Sequence, residues 1–332
     1  MNETQAKYHH LVPQTYMSAW AHGNGTLNIE FLKSPGKIVE RNKERIAGIT
    51  DFHSIKAGMP ICTESDANII FEPILSYIVE YEGNVLESPL DMNKYYYDFE
   101  KWVVKRADGS LVSKKSIKRE IEKIKIKDIE SNWSSKYENN WASQVAKIES
   151  TLLNMPNGEV AIFDREYLMK FFTALDWRGF ISNQVFEKIY KNLTSNSLGN
   201  IEIPSNERLL PSLKTASDEF RHNLLLKFFR QYLNDTGIIF EEVNANLKYT
   251  NFHFLIADGP TKFITSDSPA FTYVREDKKL VGLLPITPRI LMAKGKYKES
   301  YKIYYVTHIT DEAVKNYNDI IRSNADEFII HC

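Results

Sequence analysis

Cysteine is almost absent from this chain of 332 residues. The two it has, Cys62 and Cys332, are too few to staple so long a polypeptide, and neither lies in a CxxC or His/Cys spacing that would hold zinc. A disulfide scaffold is excluded, and a reducing cytoplasm is the expected setting. Charge of one sign is lacking as well: 42 basic residues nearly cancel 43 acidic ones, so polyanion binding has no whole-molecule argument and must rest on local patches. No run approaches the roughly 20 apolar residues that cross a bilayer, and the polar opening Met1-Asn2-Glu3-Thr4-Gln5 has no apolar core of the kind an export signal carries. Repeats, low-complexity tracts, Gly/Ser linkers and a Gly-x-Ser-x-Gly nucleophile elbow are also missing. The remaining composition, 43% hydrophobic and 26% charged, is that of a globular protein able to bury a large core.

Two polar islands stand out near the ends. The first is His9-His10-Leu11-Val12-Pro13-Gln14; the second is Phe263-Ile264-Thr265-Ser266-Asp267-Ser268-Pro269, followed by Leu284-Pro285-Ile286-Thr287-Pro288. Val12 precedes proline and is biased to extended geometry, while Pro13 suits the start of a helix through Tyr16 to Trp20. His9 and His10 then project from opposite faces of a short strand, so they cannot chelate one ion side by side, and at least one should be buried. Leu27 to Leu32 alternates as a strand and forms a hairpin with Lys37 to Glu40. Residues 64–81 carry apolar side chains at helical spacing. Within 83–130, a small hairpin turns at Asp108-Gly109 and a charged run from Lys114 to Lys125 places Ile117, Ile121 and Ile124 on one helical face. This segment reads as a peripheral hairpin–helix insertion, and its charged face as either solvated or a nucleic-acid or partner patch. Three long helices are expected over 133–153, 164–193 and 212–233. β-rich runs follow at 252–256, 262–265, 290–293 and 302–306. A last helix starts near Thr310, and the chain closes on Phe328-Ile329-Ile330. The class is α+β: one domain, 1–332, with a helical middle packed on a mixed or antiparallel sheet formed by the N-terminal and C-terminal segments.

A partly buried imidazole titrating near neutrality can act as acid, base or metal ligand. That makes His9 and His10 candidate catalytic groups. Asp267 either accepts main-chain N–H bonds in its turn or orients a histidine or holds a cation beside Ser266 and Ser268. Arg178 lies on a helix apolar nearly all round and must be paired or face a cavity; Asp267 or a bound anion is its candidate partner. Glu219 and His222 share a helix face, but a di-metal bundle needs a second such pair and the sequence has none.

Taken in order, His9-His10-x-Val12-Pro13-Gln14-x-Tyr16, Asp176-Trp177-Arg178, Thr265-Ser266-Asp267-x-Pro269, Pro285-x-Thr287-Pro288, and Asn318 with Ala325 resemble a widespread microbial family catalogued as domain of unknown function 4238. The likeness spans nearly the whole chain outside 83–130. Family members often carry Gln and Arg-Thr-Pro in the central helix, where this chain has Asp176-Trp177-Arg178-Gly179, so Arg178 is the firmer match. The resemblance implies a cytoplasmic microbial protein with a site built from these residues. Two functions fit. One is a nuclease-like hydrolase of a phosphodiester or nucleotide, with His9, His10 and Asp267 catalytic, Asp267 either orienting a histidine or holding a divalent cation, and Gln14, Arg178, Ser266 and Ser268 binding substrate. The other is a non-catalytic sensor or interaction protein, for instance in toxin–antitoxin or phage-defence systems.

Overall fold

A computed structural model describes residues 8–178, 186, 189, 190, 201–205, 207–296 and 303–332. In chain order its strands are β1 (Tyr8–His10), β2 (Thr26–Phe31), β3 (Ile38–Asn42), β4 (Gly48–Thr50), β5 (Ile78–Tyr81), β6 (Asn84–Val85), β7 (Val103–Lys105), β8 (Gly158–Ala161), β9 (Asn251–Ala257), β10 (Thr265–Ser266), β11 (Phe271–Val274), β12 (Leu280–Thr287), β13 (Ile290–Gly295), β14 (Ile303–Ile309) and β15 (Phe328–His331). The helices used below are α1 (Gln14–Met17), α2 (Glu64–Ile70), α3 (Pro89–Lys94), α4 (Lys114–Lys123), α5 (Asp128–Trp133), α6 (Asn139–Leu152), α7 (Arg165–Arg178), α8 (Ala216–Leu233), α9 (Gly237–Tyr249) and α10 (Asp311–Ser323). The class is α+β. The chain divides into two compact units, one of residues 51–132 and 198–230, the other of 8–50, 133–197 and 231–332 as far as these are described.

The larger unit carries two principal sheets. One is antiparallel in the order β10-β15-β2-β3, so the N-terminal hairpin and the C-terminal strand share hydrogen bonds, with Ile29 opposite Ile330. The other, β11-β12-β13-β9-β14-β8, is antiparallel except for the β9/β14 pair. Sequence alternation explains the first sheet: Leu27 and Ile29 are sealed while Asn28 is half-buried. β13 is buried along its whole length, as a central strand covered on both faces should be. α7 lies against this second sheet through Phe172. A Cβ on Gly282 would meet the Phe172 ring at 2.6 Å and the cross-strand Lys294 stem at 2.9 Å, so glycine is what lets helix and strand approach. Residues 179–185, 187, 188 and 191–193 of the expected central helix lie outside the described residues.

In the smaller unit β6-β5-β7 form a short sheet. The expected helix over 64–81 breaks into α2, a 3₁₀ turn at Glu72–Ile74 and β5. Pro73 stops the α-helix, and Ile78-Val79 are better placed in a strand paired with β7. The hairpin at Asp108-Gly109 is present, closed by Arg106 N–H to Ser110 O at 2.9 Å with Gly109 at φ 82°. Segment 83–130 lies within this unit and supplies core to it: Trp102 is 2% exposed and its ring meets those of Phe71, Tyr96 and Phe99.

Candidate functional site

The N-terminal island is positioned by a tight strand pairing. β1 runs antiparallel to β4, with His9 opposite Ile49, and a Cβ on Gly48 would lie 2.6 Å from His9 O. His9 is thereby sealed and His10 left half-buried on the other face, as alternation requires. Gln14 Nε2 lies 3.3 Å from His10 Nε2, and the Tyr8 ring meets the imidazole edge-on. Arg178, 3% exposed, does not reach Asp267 for its charge: its Nη1 donates to Glu138 Oε1 at 2.5 Å, Nη2 donates to His10 O, and the guanidinium lies 4.7 Å from the Trp133 ring centroid. A buried guanidinium demands such partners, and here they fix the His10 main chain.

The C-terminal island is a set of clamps. Asp267 is 0% exposed, and its carboxylate accepts Asp326 N–H at 3.0 Å, Glu327 N–H at 2.5 Å and Phe328 N–H at 3.3 Å, closing the turn from α10 into β15. Burial pushes this carboxyl up to about 6 even against those three donors. Ser266 Oγ accepts Ser268 N–H at 3.1 Å, and Ser268 Oγ is buried with no hydrogen bond among the described residues. Asn318 donates to Lys262 O at 2.8 Å and accepts Ile264 N–H at 3.1 Å. The two islands join at Tyr16, whose hydroxyl lies 2.7 Å from both Thr265 Oγ1 and Pro285 O, and at Trp20, whose Nε1 donates to Phe263 O at 2.9 Å. His10, Gln14 and Arg178 therefore form one group, and Ser266, Asp267 and Ser268 another. Ser266, Asp267, Thr287 and Asn318 direct their side-chain hydrogen bonds to the main chain.

The smaller unit contains a site that the sequence does not announce. Asp51, at φ 58°, opens a turn closed by Ser54 N–H to Asp51 O, and Ile55 exchanges main-chain hydrogen bonds with Ile126 at 2.9 Å. That pairing lays 51–55 beside the segment leading into α5, so His53 faces Glu130. Their Nδ1 and Oε2 are 2.7 Å apart, with the His53 side chain 0% and Glu130 20% exposed. The imidazole meets Phe52 and Phe229 edge-on, and Phe52 in turn meets His222 at 4.7 Å. Arg230 fixes the frame: its guanidinium forks onto Asp66 at 2.6 and 2.9 Å and reaches Asp128 at 2.8 Å, joining α8, α2 and α5. Burial, then the nearby His53 and Lys56, push His222 down to about 3, leaving it neutral. Lys56 is held below its ordinary value by burial and by Lys125, while its Nζ donates to Leu209 O at 3.1 Å. Glu219 accepts Leu209 N–H at 2.6 Å. His53 and Glu130 stand 77 positions apart, and no spacing rule links them.

The family's sequence profile matches residues 8–332, nearly the whole chain. The chain belongs to the family described as protein of unknown function DUF4238. The match includes residues 51–132, so the His53–Glu130 pair lies inside the family's own region. No curated protein and no solved structure matches the chain. Among the described residues no helix is long and apolar enough to cross a membrane.

Proposed function

We propose that this protein is a hydrolase of a phosphodiester or nucleotide in which His53, oriented by Glu130, is the acid–base group. The observation that carries this reading is the buried imidazole–carboxylate contact of 2.7 Å. Glu130 accepting the Nδ1 proton fixes the tautomer and raises the basicity of Nε2, the atom that would take a proton from an attacking water. Lys56, whose charge acts on the neighbouring His222, is the positive group here available to an anionic substrate, since Lys125 is paired with Asp51. The same two side chains offer one nitrogen and one oxygen ligand of the kind a divalent cation takes. Because His53 is sealed, substrate reaches it through local opening of the surrounding loop. His10, half-buried beside Gln14, is the second imidazole to test. His9 is sealed, and Asp267, Ser266 and Ser268 serve the fold in this reading.

The alternative, a non-catalytic sensor or interaction protein, draws support from the protein partners that hold Arg178 and Asp267. Hydrolysis of RNA, DNA and nucleoside triphosphates, with and without magnesium or manganese, decides between them. His53→Gln and Glu130→Gln should each lower turnover by about 10²–10⁴-fold, while His10→Ala leaves it within a few-fold and all three retain the parent's circular dichroism. No turnover by the parent on any of these substrates would overturn the hydrolase reading and leave the sensor.

A further inference from the structure

The hairpin around Asp108-Gly109 and α4 enclose a groove of about 790 Å³ on the smaller unit, separate from the histidine pair. Its lining is apolar at Phe99, Val104 and Leu111, and the α4 wall carries Lys115, Lys118 and Arg119 with one carboxylate, Glu122, while Glu100 lies beside Lys118. Two features of the wall differ in kind. Lys114 donates to the carbonyls of Phe99, Glu100 and Trp102 and is consumed in closing the loop, and Lys118 pairs with Glu100 at 2.7 Å. Lys115 and Arg119 are exposed, sit four residues apart on one helix face, and make no hydrogen bond or ion pair among the described residues. Beside them Leu111, just past the hairpin turn, is 72% exposed and Val103, at the start of β7, 38%, aliphatic surfaces where solvent-facing positions are ordinarily polar.

We propose that this groove binds an acidic, aliphatic segment of a partner protein. The aliphatic surface of Leu111 and Val103 receives leucine-like side chains, and Lys115 with Arg119 receives carboxylates four residues apart on a helix or two apart on a strand. Single-stranded nucleic acid fits less well, because sequence-tolerant binding of that kind needs exposed aromatic faces for base stacking. Phe99 and Trp102 are each 2% exposed, and Lys118 covers the Phe99 ring at 5.6 Å. The net charge of −1 leaves this wall as a local feature and not a sample of a basic surface.

Fluorescence anisotropy with the full chain tests the assignment. The probes are a short labelled peptide of alternating leucine and glutamate, the same peptide with lysine for glutamate, and a labelled single-stranded oligonucleotide. The acidic peptide should bind with Kd in the micromolar range, and Leu111→Ser and Arg119→Glu should each weaken it at least about tenfold, or about 1.4 kcal/mol. Both side chains are exposed, so the variants should melt as the parent does. His53→Gln should leave peptide binding unchanged, which separates this surface from the hydrolase reading. Equal binding of the acidic and lysine peptides, tighter binding of the oligonucleotide, or unaltered binding by both variants would overturn the proposal.

Discussion

Asp267 shows how a carboxylate can be costly and necessary at once. Its burial disfavours the charge, yet three main-chain N–H groups at the α10–β15 turn have it as their acceptor. Asp267→Asn keeps one carbonyl oxygen for two of the donors and turns an NH2 toward the third. We expect it to destabilise the protein by about 1–3 kcal/mol, measured by denaturant unfolding at neutral pH; a loss under half a kcal/mol would assign the turn's stability elsewhere. The pH dependence has a definite sign. A carboxyl raised from 3.8 to about 6 binds its proton more tightly in the folded state, so its contribution declines as pH rises from about 4 to about 6 and is flat above. His222 acts in the same range with the opposite slope. Its folded value of about 3 lies below the ordinary 6.5, so the unfolded chain takes the proton first and stability is lost as pH falls from about 6.5 toward about 3. Unfolding midpoints of His222→Gln between pH 4 and 7 should show a shallower acid limb than the parent's; an identical limb would remove His222 as its cause.

At the scale of elements, legibility followed how strongly one period dominated the local sequence. The strand at Leu27 to Leu32, the hairpin at Asp108-Gly109, the run at Phe252 to Ile256 and the closing strand at Phe328 to Ile330 all stand in the structure within a residue or two. Thr310, whose hydroxyl accepts Ala313 N–H, caps the last helix where the acidic first turn indicates a start. Where two periods compete, reading fails. Residues 64–81 have helical spacing, but Pro73 and the β-branched Ile78-Val79 divide them between helix and strand. α9 was hidden for the converse reason: Ile238-Ile239-Phe240 has strand-like composition, and tertiary burial of Ile239 and Val243 at i and i+4 decides for helix. The candidate site was legible in part. The islands were visible because paired histidines and a Ser-Asp-Ser-Pro turn are uncommon, whereas Asp267's donors lie 59 to 61 positions away and Glu138 lies 40 from Arg178. The His53–Glu130 pair arises from the Ile55/Ile126 bridge, which no local pattern encodes.

For the whole molecule, the consequential feature is that each compact unit has its own core. The larger unit includes a cluster of buried aliphatic and aromatic side chains from Leu255 to Ile329. The smaller relies on aromatic packing of Phe71, Tyr96, Phe99 and Trp102, three of which come from segment 83–130. A surface decoration could be removed at little cost, since insertions at exposed sites are tolerated. Removing a core tryptophan alone costs about 3–5 kcal/mol, and replacing 83–130 by a short linker removes Trp102, Phe99, Tyr96 and the strand β7 that pairs with β5. Hydrogen exchange of that deletion variant should therefore show lost protection at Val79 and along α2, with the β9, β12 and β13 amides still protected. Protection retained at Val79 and α2 would mean that the smaller unit holds without this segment and that its aromatic cluster contributes little.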